Sequence, residues 1–143
     1  MASLLVIAHG SRRAASNDEV RALAACLRAQ PDSGYDHVEA AFLELAEPLI
    51  AEGLHALAAR GATEIVAFPY FLAAGTHVAQ DIPGAIAEFV RQRPDVSVRM
   101  SAHLGASNTL PAAILSVARC ESTGAAACRR FIEGAPVACD CAS

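Results

Sequence analysis

The sequence predicts a single α/β domain with a mostly parallel four-stranded sheet flanked by helices, followed by an irregular, cysteine-containing C-terminal tail. Three observations carry this expectation. Apolar runs of strand length alternate with helical patterns four times at close spacing, which is the arrangement that parallel pairing through right-handed crossovers requires. The first run, Ser3-Leu-Leu-Val-Ile-Ala8, is continuously apolar and rich in branched side chains, as in strands buried on both faces. The chain has 143 residues, 54% hydrophobic and 18% charged, enough for one sizeable core and too short for two ordinary domains.

Each element has its own signal. After the first strand and His9-Gly-Ser-Arg-Arg, a helix is expected from Ser16, a good N-cap with Glu19 three residues on; Val20, Leu23, Ala24 and Leu27 share its apolar face. A turn around Pro31-Asp-Ser-Gly34 leads to a second strand, roughly His37 to Leu43. The second helix is expected over about Ala46 to Arg60, with Gly61 as its C-cap. A third strand, Glu64 to Tyr70, runs into the loop Phe71-Leu-Ala-Ala-Gly-Thr-His77. The third helix spans about Val78 to Gln92, with Pro83 and Gly84 marking a bend or a late start. A fourth strand covers Val96 to Ala102, and Asn108 is expected to cap a helix reaching about Arg119. The domain is therefore drawn over residues 1–119 and the tail over 120–143.

Composition removes several function classes. Eleven basic and fifteen acidic residues leave a net charge of -4, which argues against a nucleic-acid binder relying on bulk positive charge. All the basic residues are Arg, so Schiff-base chemistry and a Lys-dependent phosphate loop are excluded. The absence of Trp and the two Tyr speak against stacking platforms for single-stranded nucleic acid. No apolar stretch is long enough to cross a membrane, and the opening run lacks the length and basic leader of a signal peptide. The expectation is a cytoplasmic protein without membrane or nucleic-acid partners. Five Cys then read as free thiols or ligands before a disulfide framework.

In parallel sheets, ligands bind beyond the carboxyl ends of the strands. His9, Glu44, the Gly75-Thr76-His77 segment and His103 follow the four strands in turn, so all fall on that edge. Two imidazoles and a carboxylate there match a labile site for a mid-series divalent metal. A lone His at a strand end is as often merely hydrogen-bonded, and the grouping is what favours a site. His37 starts a strand at the opposite edge, and His55 lies mid-helix on a face expected to be solvated. Arg12 and Arg13 beside His9 would hold carboxylates or phosphate by bidentate pairing, or else lie in a solvated loop.

Three segments occur in order: the strand ending His9-Gly10-Ser11-Arg12, then Ala41-Phe42-Leu43-Glu44 with Pro48, then Pro69-Tyr70-Phe71-Leu72-Ala73-Ala74-Gly75-Thr76-His77-Val78 with Asp81-Ile82-Pro83. Together they resemble the small class II sirohydrochlorin chelatases of the CbiX/SirB type, over about Leu4 to Arg119. The Leu104-Gly105 step after the fourth strand is similar to the same family. The resemblance implies ATP-independent insertion of Co2+, Fe2+ or Ni2+ into sirohydrochlorin, with no further cofactor required for catalysis. It implies that His9 is metal ligand and proton acceptor and that His77 is a second metal ligand. Glu44 and the loop Leu72, Ala73, Ala74, Gly75 and Thr76 would contact the tetrapyrrole, and the short forms of the family work as homodimers. Sirohydrochlorin carries many carboxylates, which makes Arg12 a plausible partner.

That chemistry suits these residue types. Metallation removes two pyrrole N–H protons while the metal sheds other ligands, and a neutral imidazole, with a reference pKa of about 6.5, both accepts protons and holds metals. The tail departs from the short-family pattern. Cys120, Cys128, Cys139 and Cys141 supply four thiols, enough for an iron–sulfur cluster or a zinc site, but without CxxC pairs. Free thiols are the other reading. A non-catalytic metal or tetrapyrrole carrier on the same fold is the competing function. A histidine phosphatase is disfavoured because Ala8, not Arg, precedes His9.

Overall fold

In the computed structural model, which describes residues 1–119, strand alternates with helix throughout. The elements are β1 (Ala2–Ala8), α1 (Ala14–Ala29), β2 (His37–Phe42), α2 (Ile50–Ala59), β3 (Glu64–Pro69), α3 (Thr76–Gln92), β4 (Ser97–Met100) and α4 (Leu110–Arg119), with a single 3-10 turn over Leu104–Ala106. The strands form one parallel sheet in the order β2-β1-β3-β4.

The central place of β1 explains its unbroken apolar run. Successive strand side chains point to opposite faces. Leu5 and Ile7 therefore enter one core with Leu54 and Leu57 of α2 and Ile82 and Phe89 of α3. Val6 and Ala8 enter a second core with Ala24 of α1 and Val38, Ala40 and Phe42 of β2. The edge strand β4 is different: short, mostly exposed and carrying Arg99, features that discourage pairing with another sheet. Among the described residues no helix is long and apolar enough to cross a membrane.

Several element starts differ from expectation. α1 begins at Ala14, because the amides of Ser16 and Asn17 both donate back to the Arg13 carbonyl (3.1 and 3.4 Å). Ser16 is thus inside the first turn, not its cap. α2 begins at Ile50, four residues later than expected. The Phe42 amide donates to the Pro48 carbonyl (2.9 Å), which keeps the chain around Pro48 and Leu49 extended alongside β2. The Glu52 carboxylate then accepts the Leu49 amide (3.0 Å). α3 runs through Pro83, whose missing N–H costs one helical bond on an exposed face. Asn108 stands two residues ahead of α4, and Thr109 directly precedes it. His55 is exposed, as expected, but its ring meets Phe89 edge-on at 4.9 Å and its Nε2 lies 3.2 Å from Gln92 Oε1, so it also ties α2 to α3.

Candidate active site at the carboxyl edge of the sheet

Because all four strands are parallel, the segments that follow them emerge at one edge. β1 ends where His9 turns outward and Gly10 takes φ +95°. Only glycine suits that position, since a Cβ there would also overlap the carbonyl of Glu44. The main chains of the first two loops are thereby pressed together, and the Glu44 amide donates to the His9 carbonyl at 3.1 Å. Above this contact His9 Nδ1 lies 3.7 Å from Glu44 Oε1, with both side chains more than half exposed. Leu45 follows at φ 64°, in the left-handed region that a leucine rarely adopts. Strain of this kind is held where the surroundings over-determine the backbone, often beside functional groups.

His9 and Glu44 line an open cleft of ≈ 320 Å³, together with Leu49, Ile50, Asp81 and Ala85. The N-terminus of α2 therefore faces the cleft, and its partial positive charge favours anionic groups there. Of His77 the structure describes the backbone, which lies in the first turn of α3 on the same edge. Asp81, one turn further along α3, lines the cleft. Sequence reasoning missed Asp81 as a cleft residue, although its i+4 spacing from His77 was a usable signal.

The remaining candidates distribute as follows. Arg12 is exposed on the loop after β1 and is not among the residues lining the cleft. Leu72, Ala73, Ala74 and Gly75 form an exposed loop leading into α3, and Thr76, also exposed, is the first residue of that helix. This loop rests on the Leu104-Gly105 step, where the Gly105 amide donates to the Phe71 carbonyl at 3.0 Å. A Cβ at Gly105 would overlap the Leu72 carbonyl. His103 is on the expected edge but lines a different groove, beside Leu4, Val66 and Phe68. His37 sits at the opposite end, with its Nδ1 buried and unpartnered among the described residues. Cys120, Cys128, Cys139 and Cys141 lie outside the described residues.

Residues 3–120 match the CbiX family model. The chain belongs to the CbiX family. Among curated proteins it is 34% identical over 107 residues to the chloroplastic sirohydrochlorin ferrochelatase of Arabidopsis thaliana, covering 75% of this chain and 47% of that protein. It is 36% identical over 83 residues to the sirohydrochlorin cobaltochelatase of Methanopyrus kandleri, covering 58% of this chain and 57% of that one. The chain thus spans about half the length of the curated relatives it matches.

Solved structures agree on the architecture of this family member. SirB from Bacillus subtilis with Fe3+ superposes with a TM-score of 0.71 at 29% identity, covering 80% of this chain and 44% of that chain. A CbiX protein from Marinobacter aquaeolei superposes with a TM-score of 0.68 at 25% identity, covering 82% and 94%.

Proposed function

We propose that this CbiX-family chain inserts a divalent metal, Co2+, Fe2+ or Ni2+, into sirohydrochlorin without ATP. The observation that carries the reading is the His9–Glu44 pair, 3.7 Å apart at an open cleft on the carboxyl edge of the sheet. Supporting it, relatives 34–36% identical are sirohydrochlorin ferrochelatase and cobaltochelatase.

The net reaction exchanges two pyrrole N–H protons for one metal dication, so the site must hold the metal, accept protons and orient a large flat ring. His9 contributes a nitrogen that binds the incoming metal or takes a proton, and its exposure leaves the ring free to reach substrate. Glu44, beside it and open to solvent, gives the proton a route to water. His77, at the start of α3, is assigned as the second metal ligand, and Arg12 with the Leu72–Thr76 loop as contacts for the macrocycle and its carboxylates. Holding ring and metal together replaces an encounter with a near-attack arrangement.

Two copies are proposed to work together. The cleft of one chain is open, the chain matches only 44% of SirB, and α4 leaves Ile114, Leu115 and Val117 exposed as apolar surface for a neighbour. Sedimentation velocity on the purified protein checks this.

The decisive assay follows absorbance of sirohydrochlorin anaerobically with each metal, with and without protein. Many turnovers per chain are expected with at least one metal. Tight binding with no acceleration would instead mark a carrier, and no binding would remove the reading.

A further inference from the structure

We propose that Asn17 and Arg21, one turn apart on α1, are positioning residues that set the spacing of His9 and Glu44. This rests on the proposed function insofar as those two residues do the chemistry, although the positioning itself is a statement about geometry.

Asn17 is buried, at 7% exposed, and turns both ends of its amide to one residue. Its Oδ1 accepts the Ser11 amide at 2.9 Å, and its Nδ2 donates to the Ser11 carbonyl at 2.7 Å. Ser11 is two residues beyond His9, so the turn that aims the imidazole is pinned on both sides of that residue. Buried polar groups are retained where they are fully satisfied, and two bonds to one residue define its orientation as well as its place.

Arg21 does the corresponding work on the second loop. Its Nη2 donates to the Glu47 carbonyl at 2.7 Å, while Nη1 donates to Asp18 Oδ1 at 2.9 Å, which fixes the plane of the guanidinium. The same group lies 5.1 Å from the centroid of the Phe42 ring. Glu44 stands between Phe42 and Glu47, so Arg21 grips the chain on both flanks of the carboxylate residue. Side chains four apart share a helix face. One face of α1 therefore holds both loops, and the Glu44 amide to His9 carbonyl bond ties the loops to each other. Neither Asn17 nor Arg21 lines the cleft, so their effect passes through the residues they hold.

The test uses the intact protein with Arg21→Ala, Arg21→Lys and Asn17→Asp. Arg21 is exposed, so its variants remain informative if loss of the buried Asn17 amide prevents folding. Two readouts are taken: amide hydrogen exchange at Glu44, whose N–H bonds to His9, and steady-state metallation of sirohydrochlorin with Co2+. In Arg21→Ala, exchange at Glu44 is expected to rise on the order of tenfold while the core amides of Val6 and Ile65 keep wild-type protection. Turnover should fall by about tenfold or more with KM changed less than about twofold, the signature of misplaced groups and not of lost substrate contacts. Arg21→Lys should fall between, since an ammonium reaches the carbonyl but cannot fork to Asp18 and Glu47 at once. Wild-type exchange at Glu44 in Arg21→Ala, or a change confined to KM, would overturn the proposal. A wild-type protein that never metallates would defeat the chelatase reading, and the exchange experiment would still decide the positioning role.

Discussion

The imidazole of His9 and the carboxylate of Glu44 approach within 3.7 Å, yet their side chains are 55% and 60% exposed. A pair in that much water contributes little to stability, about 0–1 kcal/mol for exposed ion pairs. What holds them is the main chain beneath, through the Glu44 amide on the His9 carbonyl and the collision that only Gly10 avoids. Scaffold and exposed side-chain ends are thus separate, and substitutions at those ends should test the proposed chemistry without unfolding the protein.

His9→Ala is therefore expected to lower turnover by roughly 10²-fold or more, the usual scale of removing a proton-transferring group. Its thermal midpoint should stay within a few degrees of wild type. Glu44→Gln keeps shape and loses charge, so it should give a smaller loss with the same stability. Near-normal turnover in His9→Ala would dismiss the assigned role, whatever happens at Glu44.

The architecture was legible because β1 is unusual in sequence. A run with no polar interruption between Leu4 and Ala8, short and rich in branched side chains, fits a strand covered on both sides, and the sheet order places it there. The edge rule then located His9, Glu44 and the start of α3 without any distance. Helix starts were less legible, because they depend on backbone bonds with no residue signature: the Arg13 carbonyl accepting two amides displaced Ser16 as a cap, and the Pro48 carbonyl held by Phe42 delayed α2. Asn17 and Arg21 carry no signal of their own in the sequence. Their partners are backbone groups, those of Ser11 in the preceding loop for Asn17 and the Glu47 carbonyl of a distant loop for Arg21, which no spacing rule identifies.

Ser3 offers a stability test far from the site. It is fully buried, and its hydroxyl has no hydrogen-bond partner among the described residues, as is also true of Nδ1 of His37 opposite it in the β1–β2 register. An unsatisfied buried hydroxyl costs on the order of 1–3 kcal/mol. Ser3→Ala should then raise stability by about 1 kcal/mol, seen as a thermal midpoint several degrees higher. A lower midpoint would mean that the hydroxyl has a partner after all.

Asp95 gives a pH-dependent signal in the turn before β4. Its carboxylate accepts Nε and Nη2 of Arg93 at 2.9 and 2.7 Å, and this hydrogen bonding holds its pKa below the ordinary carboxylate value of 3.8. A carboxyl depressed in the folded state contributes stability above its unfolded pKa and loses it as pH falls through the folded one. Asp95→Asn should accordingly melt slightly below wild type at neutral pH, and the gap should close in acid below about pH 3.8. A gap of constant size across thermal melts at pH 7 and pH 3 would contradict the coupling.

Gly10 and Gly105 both occupy places where a Cβ would overlap a carbonyl, but they hold different loops, and their alanine variants should fail differently. At Gly10 the backbone is also left-handed, and the carbonyl belongs to Glu44, whose loop is tied to His9 and cannot easily yield. Gly10→Ala should lose roughly 1–3 kcal/mol of stability and, through displaced His9, mainly turnover. At Gly105 the backbone is not left-handed, and the carbonyl belongs to Leu72, which is 70% exposed and not tied to His9. Gly105→Ala should therefore fold with a smaller penalty while shifting the Leu72–Thr76 loop. If that loop receives the macrocycle, KM for sirohydrochlorin should rise several-fold and turnover at saturation should change less. Steady-state kinetics of the two variants, measured side by side, separate the cases. The reverse split, with Gly105→Ala losing turnover and Gly10→Ala losing only affinity, would mean that the two loops have been given each other's roles.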